Sequence, residues 1–398
     1  MLKKILANKK VLILLAVITF LLVGIAIIIW GLQTYKAIGM SNNNIETKEN
    51  GKEDDKEETY MKFDPIFRSH MVFAVGKPIR IYGEGNGSME INFASCTKQV
   101  EAVDGNWFVE FPPMEYGGPY QIIAVSENES VTIEDIYIGD VYLFAGQSNM
   151  QFKLNESSAP ANAYKSNEKL RLFSTDRLEA GEYFTPADGW VKSERDTVGN
   201  WSAIAYLSGS EIVTKKDIAV GVITCYQGAS VIESWVPKGT FEKANINIPL
   251  EEKYLDHVHE GFQNWNVDGK LYTHVLSQAI PYSINAVVWY QGESDTSVAE
   301  GQVYALELAE LIKVWRNDFM DMELPFVIIQ IADFVQRDDE GWKSVQKAQL
   351  DVEKLLPNVK TIISADACED NDIHPKTKDI IAKRVAEALI SFSKKGAE

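Results

Sequence analysis

Ser148 is the residue of this sequence best placed for nucleophilic chemistry. It stands in Gly146-Gln147-Ser148-Asn149-Met150, directly after the short apolar run 141–145. That pattern reads as a buried strand delivering a hydroxyl to the rim of a sheet, and Gly146 allows the sharp turn this requires. A serine hydroxyl is a weak nucleophile on its own. The chemistry therefore needs a base to take its proton and donors to hold the oxyanion formed on attack.

The base must come from five histidines. His374 lies in Asp370-Asn371-Asp372-Ile373-His374-Pro375, a polar loop before the last helical stretch, with Pro375 fixing the backbone near the helix start; it is the expected base. His70 falls in a β-rich segment remote from Ser148. His274, in Leu271-Tyr272-Thr273-His274-Val275, falls at a helix start, where a packed or capping role is expected. His257 and His259 flank Val258 in an acidic context that hints at a metal, but a spacing of two shares a face only in a strand and no third ligand is evident. Cys96, Cys225 and Cys368 permit at most one internal disulfide and have no metal-ligand spacing. The expectation is chemistry without metal or cofactor.

Two further apolar runs end in polar clusters. Run 219–224 leads into Cys225-Tyr226-Gln227-Gly228-Ala229-Ser230, where Gly228 can expose a backbone N–H with no side chain in the way. Run 286–290 leads into Gln291-Gly292-Glu293-Ser294-Asp295, where the Gln291 amide can donate to a developing oxyanion. Both follow strands, with Ser148 early and His374 last.

The elements that must position these residues follow from hydrophobic patterning. Beyond residue 139 the apolar runs 141–145, 219–224, 286–290, 325–331 and 359–364 alternate with helical patterns at 304–315, 342–356 and 377–392. This predicts an α/β fold: a five-stranded, doubly wound parallel sheet of flavodoxin-like order, forming a three-layer α/β/α sandwich with its site at the carboxyl ends of the strands. Between 61 and 138 the runs are short and alternating, separated by turn clusters, which predicts a small all-β immunoglobulin-like domain.

A net charge of -18 argues against nucleic acid as a partner. Residues 11–32 are apolar and uncharged, and roughly 20 such residues span a bilayer as a helix. Lys3, Lys4, Lys9 and Lys10 precede the run, which places residues 1–10 in the cytoplasm and the rest outside. The run is longer than a signal-peptide core and lacks an Ala-x-Ala ending, which predicts an uncleaved signal anchor. Residues 41–59 are rich in Asn, Glu, Asp and Lys with almost no apolar residue, and 33–60 reads as a disordered acidic tether. The expected organisation is a single-pass cell-membrane protein: cytoplasmic N-terminus 1–10, transmembrane helix 11–32, tether 33–60, β-sandwich 61–138 and an extracellular catalytic domain 139–398.

The Ser148 block, together with Trp289-Tyr290-Gln291-Gly292-Glu293-Ser294-Asp295 and Asp372-Ile373-His374-Pro375, resembles the sialate O-acetylesterase family of SGNH-type serine hydrolases. His70-Met71-Val72, Gly117-Gly118-Pro119-Tyr120, Ser202-Ala203-Ile204-Ala205-Tyr206 and Ile232-Glu233-Ser234-Trp235 resemble further landmarks of that family, in its order. The resemblance implies removal of acetyl groups from the hydroxyls of a glycan substrate. Ser148 would be nucleophile, His374 general base, and Gly228, Gln291 and the Ser148 N–H the oxyanion hole; Gln147, Asn149 and Glu293 would orient the site or its substrate.

Two positions depart from the family pattern. An aspartate usually stands three residues before the histidine, and here that position is Asn371. Asp372 is the nearer candidate for the third catalytic member, with Asp370, or a Ser-His dyad supported by a backbone carbonyl, as alternatives. Gln227-Gly228-Ala229-Ser230 stands where Trp-Gly-Gly-Thr is common, which alters the pocket wall and bears on the substrate. The competing expectation is a tethered glycan-binding or scaffold ectodomain without turnover. A lipase-like reading calls for Gly-x-Ser-x-Gly, whereas residue 150 is Met.

Overall fold

The computed structural model describes residues 60–127, 129–178, 189–249, 252, 265–337 and 339–395. The expected cytoplasmic segment, the transmembrane helix and nearly all of the tether lie outside the described residues, as do His257 and His259. Among the described residues no helix is long and apolar enough to cross a membrane.

The chain opens with short strands: β1 (Tyr60–Phe63), β2 (Val72–Ala74), β3 (Ile79–Asn86), β4 (Ser88–Phe93), β5 (Cys96–Glu101), β6 (Asn106–Phe111) and β7 (Gly117–Ser126). Their alternation sends one face inward, as where Met89, Ile91 and Phe93 of β4 are buried between more exposed neighbours. β1, β3 and β6 form one antiparallel sheet, while β4 pairs with β5 and β7. Aromatic rings fill the space between, Phe63 edge-on to Trp107 at 5.1 Å and Phe67 edge-on to Tyr82 at 4.8 Å.

β8 (Ser130–Gly146) connects this part to the rest without a break over 17 residues. Its first half pairs antiparallel with β7, and its last seven residues are the centre of a parallel sheet. The expected division between residues 138 and 139 therefore falls inside one strand. Gly139 permits the close approach of a neighbouring strand there, because a Cβ would lie 2.1 Å from the Ala219 carbonyl oxygen. Tyr282 joins the two cores, stacking on Phe73 at 5.7 Å and donating its hydroxyl to Val72 O at 2.7 Å.

The central sheet adds β9 (Asn167–Ser174), β10 (Val191–Ser193), β11 (Val220–Tyr226), β12 (Ala286–Tyr290), β13 (Phe326–Ile329) and β14 (Val359–Ile362). The five strands expected from sequence lie in the order β11-β8-β12-β13-β14 with every neighbouring pair parallel, the flavodoxin-like arrangement. β9 and antiparallel β10 extend the β11 edge.

Alternation along β8 divides the core in two. Val141, Leu143 and Ala145 face one layer; Tyr142 and Phe144 face the other. After the single turn α1 (Ser148–Gln151), the long helices are α2 (Ala203–Lys216), α3 (Val298–Asp318), α4 (Glu340–Leu355) and α5 (Asp379–Lys395). Leu308, Ile312 and Trp315 of α3 and Trp342, Val345 and Val352 of α4 cover the first face, while Ile204 and Ile212 of α2 and Ile381, Val385 and Leu389 of α5 cover the second. Each register is fixed at its start: Ser202 caps α2, Ser297 and Glu300 form a reciprocal capping box on α3, and Asp339 caps α4. The result is a mixed α/β fold with helices on both faces of the sheet.

Candidate active site

The site is built where β8 stops. Gly146 has a φ of 140°, and a Cβ there would lie 2.1 Å from Tyr290 O, so the last residue of the strand must be glycine. Gln147 then donates its N–H to Tyr290 O at 3.0 Å and accepts from the N–H groups of Met150 and Gln151, closing the turn α1. Ser148 occupies the first position of that turn, where a backbone N–H has no partner within the helix.

His374 arrives on the loop between β14 and α5. Its Nε2 lies 2.8 Å from Ser148 Oγ, across a separation of 226 residues. Its imidazole stacks on Phe152 at 6.4 Å between ring centroids. Burial, reinforced by the positive charge of Lys378, lowers its pKa below 6.5 against the opposing pull of Asp372 and Glu156. The ring is thus mostly neutral near pH 7 and able to accept a proton. Asp372 accepts from the backbone N–H of His374 at 2.9 Å. Among the described residues no hydrogen bond reaches Nδ1, so the Asp372 carboxylate shapes the loop rather than gripping the ring.

Asn149 laces the Ser148 and His374 segments together. Its side-chain Nδ2 donates to Glu293 Oε1 at 2.5 Å and to the carbonyl of Ile373, the neighbour of His374, at 2.9 Å; its Oδ1 accepts from Lys378 Nζ at 2.6 Å. Glu293 is buried, which raises its pKa. Gln147 is also buried, with its Oε1 lacking a partner among the described residues.

The expected oxyanion donors separate. Gly228 lies beside Ser148: a Cβ at this position would be 3.8 Å from Ser148 Cβ. Its N–H donates at 3.1 Å to the Gln151 side-chain oxygen. Gln291 does not meet the expectation. Its side chain is fully buried, and both Nε2 hydrogens are committed, to Ser230 O at 2.8 Å and to the Asp295 carboxylate, while its Oε1 accepts from the Tyr304 hydroxyl at 2.6 Å. A polar core beneath the site draws this amide inward and leaves no hydrogen for an oxyanion.

The remaining described histidines lie elsewhere. His70 Nδ1 pairs with Asp135 at 2.7 Å, and His274 Nδ1 meets Lys270 O at 2.9 Å within its own short helix. Among the described residues no group of His, Cys, Asp and Glu has the arrangement of a metal site.

Three residues at the site carry little signal in the sequence. Lys378 reads as a solvated lysine near a helix start, yet it is 1% exposed. Gln151 and Phe152 follow the serine block too closely to be told from ordinary packing; only the turn that closes on Ser148 brings them into the site.

A serine hydroxyl at the carboxyl end of a central parallel strand, in contact with a neutral imidazole, is the equipment of an ester hydrolase on an α/β scaffold. The chain belongs to the family described as carbohydrate esterase, sialic acid-specific acetylesterase, which matches residues 138–391. It is 24% identical to a sialate O-acetylesterase of Rattus norvegicus over 373 residues, 77% of this chain and 68% of that protein. It is also 24% identical to a sialate O-acetylesterase of Homo sapiens over 327 residues, 72% of this chain and 60% of that protein. Among solved structures, a carbohydrate acetylesterase from Xanthomonas citri shares the fold with a TM-score of 0.73 at 22% identity, over 84% of this chain and 76% of that one. The protein is accordingly an esterase.

Proposed function

We propose that the protein removes acetyl esters from the hydroxyls of an extracellular glycan through a serine acyl-enzyme. The observation that carries this reading is the 2.8 Å contact between His374 Nε2 and Ser148 Oγ. In the first step Ser148 Oγ attacks the acetyl carbonyl carbon as its proton passes to His374 Nε2; the sugar oxygen leaves and takes that proton. Water then attacks the acetyl-enzyme, giving its proton to His374, and acetate departs as the proton returns to Ser148. The Ser148 and Gly228 N–H groups are the proposed oxyanion donors, with Asn149, Glu293 and Gln147 orienting the site. The substrate class is inferred from the relatives, sialate O-acetylesterases and a carbohydrate acetylesterase. The choice among sialic acid, hemicellulose and cell-wall glycan rests with an acetate-release screen.

The same proposal places the catalytic part outside the cell on a signal anchor at residues 11–32, supported by the uncharged apolar run and the lysines before it. It also takes the strands before residue 139 as an immunoglobulin-like sandwich and the remainder as an SGNH fold.

Turnover of p-nitrophenyl acetate by the full-length chain, and its loss in Ser148→Ala, is the test. Undiminished activity in that variant removes Ser148 as nucleophile. The engaged Gly228 N–H and the absence of a carboxylate on Nδ1 among the described residues favour one alternative, a glycan-binding pocket without turnover. Labelling of Ser148 by a fluorophosphonate separates the two, because only an activated hydroxyl reacts.

A further inference from the structure

His374 is held at hydrogen-bond distance from Ser148 with no carboxylate on its Nδ1 among the described residues, so its loop must be fixed by other contacts. Besides the Phe152 ring that stacks on His374, the Asn149 side chain crosses between the two segments: it follows Ser148 in sequence and donates to the carbonyl preceding His374. This works in one orientation of the amide only. A half-turn about its terminal bond would set Oδ1 against two acceptors, Ile373 O and Glu293 Oε1, and would turn the Nδ2 donor toward Lys378. An ammonium donates and never accepts, so Lys378 Nζ, at 2.6 Å from Oδ1, enforces together with those two acceptors the orientation that binds Ile373.

We propose that Lys378 is a positioning residue of the hydrolysis, acting through Asn149 to hold the His374 loop against Ser148. The proposal rests on the reading of Ser148 and His374 as nucleophile and base. Its surroundings distinguish Lys378 from a lysine that merely begins a helix. A helix-start lysine ordinarily extends its ammonium to water, whereas this one lies beneath the site with Phe152 and Tyr290 ring faces 4.9 Å and 5.3 Å away. Phe152 carries the ammonium and also stacks with the His374 imidazole. Burying a cation there is costly, and the arrangement returns two benefits to the reaction: a fixed Asn149 and a positive charge that discourages premature protonation of His374.

The charged and titratable groups around the pair are few. His374 faces Lys378, Asp372 and Glu156. Lys378 faces Glu293, Glu369, Asp372 and the Cys368 thiol, which burial pushes up to about 11 and so keeps neutral. Burial pulls Lys378 itself down to about 8, leaving it mainly protonated at neutral pH.

Two substitutions in the full-length chain separate the functions of the side chain. Lys378→Met removes both donor and charge, and kcat for p-nitrophenyl acetate is expected to fall about 10- to 100-fold as alignment is lost, with KM nearly unchanged and the acid limb of kcat/KM moved to higher pH. Lys378→Gln keeps a donor for Asn149 without the charge; kcat should recover most of the loss while the acid limb stays raised. A Lys378→Met protein with wild-type kcat and an unmoved acid limb overturns the proposal. If neither variant folds, Asn149→Ala carries the test, because Lys378 acts through that amide: a comparable fall in kcat with KM nearly unchanged supports the proposal, and wild-type kcat overturns it. Wild-type protein that neither turns over the ester nor takes a fluorophosphonate overturns the esterase reading, and this proposal with it, a result distinct from an active wild type with indifferent Lys378 variants.

Discussion

Gln151 Oε1 accepts the Gly228 N–H at 3.1 Å, so the backbone donor beside Ser148 already holds a carbonyl oxygen before any substrate arrives. Exchange of one neutral acceptor for another is nearly balanced, whereas an oxyanion is the stronger acceptor and displaces the amide only as charge develops.

On the proposed mechanism Gln151 is expected to tune the oxyanion site. In Gln151→Ala the donor is free and kcat/KM for p-nitrophenyl acetate should rise severalfold, about what a net hydrogen bond of ~1 kcal/mol allows. Gln151→Glu places a negative charge where the oxyanion must form, and kcat should fall on the order of 100-fold, as when an oxyanion donor is removed. Steady-state rates of both variants check this; changes in the same direction would take Gly228 out of the oxyanion hole.

On the proposed mechanism the acid limb of the pH profile should report His374. The imidazole must be neutral to accept the Ser148 proton, and burial with the nearby Lys378 charge disfavours the imidazolium. A lowered pKa means the active form persists to lower pH, so half-maximal kcat/KM should lie below 6.5 and activity should be lost as pH falls through that point. A midpoint of about 7 or higher would contradict the burial-dominated environment.

Asp372 offers a sharper discrimination. Its carboxylate accepts the His374 backbone N–H, a bond that an amide oxygen can also accept. Asp372→Asn should keep kcat within about fivefold, and removing a negative charge beside His374 should move the acid limb to still lower pH. A carboxylate gripping Nδ1 would instead cost orders of magnitude on the same change. Kinetics across pH distinguish the two.

Much of this was legible in the sequence because burial speaks through composition. Five apolar runs bounded by glycine and polar clusters gave the parallel strands, since a strand covered on both faces has no polar alternation to hide it. β9 escaped because it opens with Asn167-Glu168-Lys169, and β8 was cut at Gly139-Asp140 because its first half alternates while its second half does not. At the site, Ser148 and His374 were readable from loops at strand ends. The Gln291 amide was not, because its direction depends on Asp295 and Tyr304, a buried polar network that no local pattern announces. Lys378 was invisible for a related reason: charge predicts exposure, and only tertiary packing reverses it.

Asp135 gathers side chains from three segments at the junction between the N-terminal strands and the central sheet. It lies in the first half of β8 and receives Arg171 from β9 at 3.0 Å, Lys192 from β10 at 2.9 Å and His70 at 2.7 Å. Burial acts against ionisation, but the bonds from Lys192, His70 and Arg171 prevail and bring its pKa down to about 2. A carboxylate depressed in this way stabilises the fold above its unfolded value of 3.8, and the contribution is lost as pH falls from there toward about 2. Arg171 is 2% exposed, so removing the charge leaves a buried guanidinium with the backbone oxygens of His70, Asp135 and Glu168 and the Tyr137 ring but no anion. Asp135 has a φ of 55°, which asparagine also tolerates, so Asp135→Asn isolates the charge from the backbone. The variant should lose about 2 kcal/mol at pH 7, less than a fully buried pair because the carboxylate is partly exposed, and its deficit should shrink as the wild type is titrated below pH 3.8. Denaturant midpoints of both proteins at pH 7 and in mild acid measure this, and equal midpoints at neutral pH would mean that the apolar core around Tyr282, not the ion cluster, holds the junction.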